Sequence, residues 1–106
     1  MRVYICYPIN NEERQKDKEA IERIERDLKA MGHEPVSPLS DEVHYGDAFA
    51  ARVKKLLSCK AIYLATNWNK SKVCYSEYYI SKVHSMKTFY GPERVDAIQK
   101  YVIPHE

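Results

Sequence analysis

Residues Ala61–Glu77, AIYLATNWNKSKVCYSE, constrain this fold more than any other stretch. An apolar strand runs through a polar loop into a helix, and an acid stands where a core residue belongs. With Ser71 as the helix start and about 100° per residue, Val73, Glu77, Ile80 and His84 fall within roughly 60° of one another. Val83 flanks that face, whereas Lys72, Tyr75, Lys82 and Met86 lie across the helix. Glu77 therefore shares the stripe that must pack inward if the helix is buried at all. A carboxylate taken out of water is costly unless it is hydrogen-bonded or protonated. Such an acid has either a chemical task or a good structural partner, a Tyr hydroxyl or a backbone amide.

The rest of the chain alternates strands with helices. Val3–Tyr7 is a short β-branched and aromatic run ended by Pro8. Asn10 or Asn11 can cap the next helix, with Glu12 and Glu13 in its first turn. Ile21, Ile24, Leu28 and Met31 form its inner stripe, its charged side reads as solvated, and Gly32 is the stop signal. Glu34–Ser37 is a brief second strand closed by Pro38, followed by a loop over 39–45. Asp47 opens a helix with Phe49, Val53, Leu56 and Leu57 as its inner face. Ala61–Thr66 is the third strand and Lys87–Tyr90 the fourth, broken by Gly91-Pro92. A last helix spans about Glu93–Tyr101.

Strands separated by helices of this length imply βαβ units, a parallel sheet and right-handed crossovers. The expected fold is a small three-layer α/β sandwich, flavodoxin-like or Rossmann-like, as one domain over 1–106. Ligands of such sheets bind beyond the carboxyl ends of the strands. Here those ends are Tyr7–Asn10, Ser37–Ser40, Thr66–Ser71 and Tyr90–Gly91. Glu77 then stands at the pocket, with Pro8, Ile9, Trp68 and Ser71 as its candidate substrate contacts.

Composition narrows the function classes. The 17 basic and 15 acidic residues are interspersed and leave a net charge of +2, which does not point to a nucleic acid polymer. No apolar run approaches the roughly 20 residues of a membrane span, and MRVYICYP reads as a strand rather than a signal peptide. Cys6, Cys59 and Cys74 are odd in number and far apart, which fits a reducing cytoplasm rather than a disulfide framework. His33, His44, His84 and His105 lack ligand spacing, so no metal is expected. Neither GxGxxG nor GxxxxGK[ST] is present, and Gly32, Gly46 and Gly91 cannot build a pyrophosphate loop. Ser71 and Ser76 lack the glycine-flanked turn of a serine nucleophile. Cys59 and Cys74 read as small buried residues rather than nucleophiles. What remains is Glu77 among tyrosines, a carboxylate suited to attack on a sugar carbon whose transition state has oxocarbenium character.

These pieces resemble a known family. VYICYP at 3–8, GHEPVSP at 32–38, the helix start at Tyr45–Asp47, SCKAIYL at 58–64 and W-x-x-S-x-x-x-x-x-E from Trp68 to Glu77 are similar to the nucleoside 2-deoxyribosyltransferase-like proteins. Within them the likeness is to the small DUF4406 group of bacteria and phages. The resemblance implies Glu77 as the nucleophile that takes up the deoxyribosyl group, Tyr4 beside it, and Asp47 assisting at the base or sugar. It implies no cofactor and a dimer-based homo-oligomer. Ser71 stands where the transferases carry Asp, as in the related deoxynucleoside-monophosphate N-glycosidases, where serines help hold the phosphate. Val73 and Cys74 replace smaller residues, Tyr7 replaces a Gly, and Lys60 replaces a common Asp.

The expected function is binding of a nucleoside or nucleotide, with cleavage or transfer at the N-glycosidic bond of a (deoxy)nucleoside or its 5′-monophosphate. The alternatives are a non-catalytic nucleotide-sensing module and a protein-interaction module on the same fold. Each site residue also has a structural account. Tyr4 is then core, Asp47 a helix cap and Ser71 an N-cap. Trp68 is a lid, a dimer contact or loop packing. Tyr75, Tyr78 and Tyr79 read as a subunit interface.

Overall fold

The computed structural model describes residues 1–9, 13–39 and 45–91, without the side chains of residues 45–47. Four strands and three helices follow one another as β1 (Arg2–Cys6), α1 (Arg14–Ala30), β2 (Glu34–Val36), α2 (Tyr45–Leu57), β3 (Ala61–Leu64), α3 (Lys72–Val83) and β4 (Lys87–Tyr90). The expected cap at Asn10 or Asn11 and the helix over Glu93–Tyr101 lie outside the described residues. The strands form one parallel sheet in the order β2-β1-β3-β4. The chain therefore reverses its direction of travel across the sheet between β1 and β3. Crevices for ligands form at such a point, beyond the strand carboxyl ends.

β1 and β3 are central, and alternate side chains serve two cores. Val3, Ile5, Ala61, Tyr63 and Ala65 pack with Ile21 and Leu28 of α1. Tyr4, Cys6, Ile62 and Leu64 face the other way, toward Leu56 of α2 and Cys74 of α3. A central strand covered on both faces must be apolar throughout, and β3, AIYL, is buried at all four positions. The result is the expected three-layer α/β sandwich.

The helix ends follow local chemistry. Gly32 has φ +85° beyond the C-terminus of α1. There its N–H donates to Lys29 O at 3.0 Å, while the N–H of His33 donates to Leu28 O at 2.9 Å. This paired closure places the residue after the cap in the left-handed region, where a Cβ is strained. Ser71 caps α3, its Oγ accepting from Cys74 N at 3.2 Å.

Four details differ from the sequence expectation. Met31 is 65% exposed because it lies past the last helical turn of α1, and Asp17 on the charged helix is buried at 4%. Leu57 is half exposed, and the inner face of α2 instead turns Arg52 inward beside Leu56. On α3 the buried line is Cys74, Glu77 and Ser81, whereas Val83 and His84 face solvent. Glu77 is inward as expected, but the stripe is rotated toward Cys74.

Candidate active site

Glu77 sits in the second turn of α3 and is wholly buried. Its carboxylate is bound by three residues from two elements, β1 and α2. The Tyr4 hydroxyl of β1 donates to Oε2 at 2.6 Å. Arg52 of α2 donates through Nε to Oε2 at 2.9 Å and through Nη2 to Oε1 at 2.7 Å. The Cys6 thiol, at the end of β1, donates to Oε1 at 3.4 Å. Arg52 Nε also donates to the Tyr4 hydroxyl oxygen at 3.0 Å, and Nη2 reaches Tyr7 O at 3.3 Å. The guanidinium thus forks onto both oxygens, the geometry that suits a planar carboxylate best.

Burial and charge explain the titration of these groups. Burial first, and then the Glu77 charge, push the Tyr4 hydroxyl far above its ordinary range. Tyr4 is therefore a permanent donor. Burial works against the Arg52 charge, but the bond to Glu77 and the electrostatics of Tyr4, Glu77 and Cys74 together outweigh it and hold the guanidinium protonated. The Cys6 thiol is raised by its bond to Cys74 and by burial. Cys74 is lowered, by that same bond against the opposing burial, with Arg52 adding to the effect.

Two sulfurs and the carboxylate of Cys6, Cys74 and Glu77 lie within 4.8 Å of one another, the atom types of a soft-metal site. Both carboxylate oxygens, however, already accept from Arg52, whose charge stands where a metal's would. The donor set suits a guanidinium better than a metal ion.

The expected site residues divide. Glu77 and Tyr4 are together. Pro8 and Ile9 are half-buried at the carboxyl end of β1. Asp47 lies in the first turn of α2, and its side chain is outside the described residues. Trp68 is in a single 3-10 turn and packs on Tyr75 and Tyr78, with centroids 5.8 and 4.6 Å away. Ser71 spends its oxygen on the α3 cap. Two of the depressions among the described residues flank the site without including Glu77 in their walls. One lies between α1 and the strand ends, with Tyr7, Arg23, Tyr63 and Thr66 in its wall. The other is at the start of α3, with Lys70, Ser71, Lys72 and Tyr75. Arg52 is the site residue that the sequence expectation missed, although it stands three residues after Phe49 and four before Leu56. The stripe argument that singled out Glu77 applies to it equally.

The profile of the family described as "Domain of unknown function (DUF4406)" matches residues 1–90. The chain belongs to the DUF4406 family. This DUF4406 domain is also similar to a solved structure, the 2-deoxyribosyltransferase of the psychrotolerant bacterium Bacillus psychrosaccharolyticus, described as a biocatalyst for nucleoside synthesis. The TM-score is 0.60 at 21% identity, covering 85% of this chain and 71% of that one. The two share a fold. A search of curated proteins finds no match. Among the described residues no helix is long and apolar enough to cross a membrane.

Proposed function

We propose that this domain binds a nucleoside or nucleotide at the carboxyl ends of β1 and β3 and acts on its N-glycosidic bond through Glu77. The observation that carries the reading is the 2.6 Å bond from Tyr4 to a buried Glu77 carboxylate beside the end of β1. Tyr4 orients one oxygen, and the other faces Cys6 and the strand end. In this reading Glu77 attacks C1′, the bond to the base nitrogen breaks, and the base leaves with its electron pair and takes up a proton. Water or a second base then releases the sugar from Glu77. Asp47 serves the base or sugar.

Arg52 gives the reading a substrate preference. A carboxylate held by a guanidinium is a poor nucleophile. Nη2 already reaches the Tyr7 carbonyl at the strand end, so a 5′-phosphate arriving there competes for it and frees Glu77. Incubation with the common deoxynucleosides and their 5′-monophosphates, followed by chromatography of free base, should show release. The monophosphates should also raise the melting temperature more than their nucleosides, by linkage worth about 2.7 kcal/mol at a hundredfold excess over Kd. Equal shifts would remove the phosphate from the proposal.

A second reading has its own observation. Glu77 is sealed, with 0% side-chain exposure against 9% for Arg52, and both its oxygens are satisfied. That suits a non-catalytic nucleotide-binding module. Binding without base release from any substrate would favour it.

The assembly we propose is a homo-oligomer built through α3. Tyr75, Tyr79 and Val83, at steps of four, are 54%, 66% and 66% exposed and make one apolar line on its outer side. Trp68 and Tyr78 stiffen that line from beneath. Light scattering at about 100 μM should report a species larger than the 12.4 kDa chain, since a standard interface gives a Kd well below that. A monomer at that concentration would reject the assembly.

A further inference from the structure

We propose that Cys6 and Cys74 are a peroxide-reactive dithiol that closes to a disulfide between β1 and α3, beside Glu77. Both residues are fully buried and free. Their sulfurs lie within 4.8 Å, and the Cys6 sulfur stands 3.5 Å from the Cys74 carbonyl oxygen. The surroundings divide the labour between them. Cys74 lies in the first turn of α3, and its sulfur accepts from Arg52 Nη2 at 3.8 Å. A helix N-terminus and an arginine both favour the thiolate, the attacking form. The Cys74 thiol is lowered first by the bond with Cys6, with Arg52 adding to the effect. Cys6 has the raised thiol, bonded to Glu77 Oε1, and suits the resolving role.

The chemistry balances with hydrogen peroxide, a small uncharged oxidant, as co-reactant. The Cys74 sulfur attacks one peroxide oxygen, the O–O bond breaks, and hydroxide leaves and is protonated to water, giving a sulfenic acid. The Cys6 sulfur then displaces the second hydroxide, which takes the Cys6 proton. Two thiols and one peroxide become a disulfide and two waters. The new bond withdraws the Cys6 donor from Glu77 Oε1 and ties the first turn of α3 to the central strand. The proposal does not rest on the glycosidic reading, because the dithiol is present whatever Glu77 does.

The test treats the folded protein with excess hydrogen peroxide, then unfolds it in acid and alkylates. Of the three thiols, only Cys59 should take the label, and dithiothreitol should restore all three. Peptide mapping should join the Cys6 and Cys74 peptides, and the melting temperature should rise reversibly. Cys59→Ser should lower the labelled thiols after peroxide from one to none. In Cys6→Ser, Cys74 has no resolving thiol and should proceed to sulfinic acid. Three labelled thiols after treatment, a Cys59-linked dimer, or irreversible oxidation of Cys74 in the wild-type chain would each overturn the proposal.

Discussion

Arg52→Met should destabilise the domain by about 3–5 kcal/mol, the cost of leaving one member of a buried ion pair without the other. Among the described residues, Glu77 then keeps only the Tyr4 hydroxyl and the Cys6 thiol as donors, at a fully buried position. For a domain whose total stability is about 5–15 kcal/mol, this is a large share. The double variant Arg52→Met with Glu77→Leu should recover only part of the loss, because an apolar pair avoids the desolvation of both charges while the buried Tyr4 hydroxyl loses its bonds to both. Urea unfolding followed by circular dichroism measures both. A loss under about 1 kcal/mol in the single variant would mean that the carboxylate is hydrated in solution and that the clasp is open.

Glu77→Gln should abolish base release, with a rate loss of order 10³-fold or more, while leaving the shape of the site nearly unchanged. It should also cost stability, because Arg52 keeps its charge opposite a neutral amide. A strained, partly desolvated catalytic carboxylate would leave the fold unaltered or firmer when neutralised. The guanidinium changes that, so loss of stability no longer separates the catalytic and structural readings. Activity alone does. The assay is therefore run well below the melting temperature, with the folded fraction confirmed by circular dichroism. Base release at the wild-type rate by the Gln variant would leave Glu77 a structural acid.

The strands were legible because VYIC and AIYL are short, branched and apolar, and only a buried parallel strand uses such runs this way. The inward position of Glu77 was legible from helical periodicity, and its partner Tyr4 from the family likeness. The rotation of α3 was not. Cys74 and Ser81 are small, so the apolar pattern weighted Val73 and Ile80 instead, although they are only half-buried. Asp17 was read as part of a solvated face, since nothing local shows that Tyr7 hydrogen-bonds it. Arg52 was passed over for a similar reason. A long cation beside Lys54 and Lys55 looks like surface, and only its distant acid makes it core.

The clasp on Glu77 joins groups far apart in the chain, 48 residues between Tyr4 and Arg52 and 25 between Arg52 and Glu77. While the chain folds, neither charge gains from leaving water until both helices have docked on the same face of the sheet. A transition state in which α3 is still loose carries none of the pairing, so the clasp does little to hasten folding. Its effect falls on the reverse step, since unfolding must first prise a guanidinium from a buried carboxylate. The same three side chains that prepare a site for chemistry therefore set how long the folded domain lasts once formed.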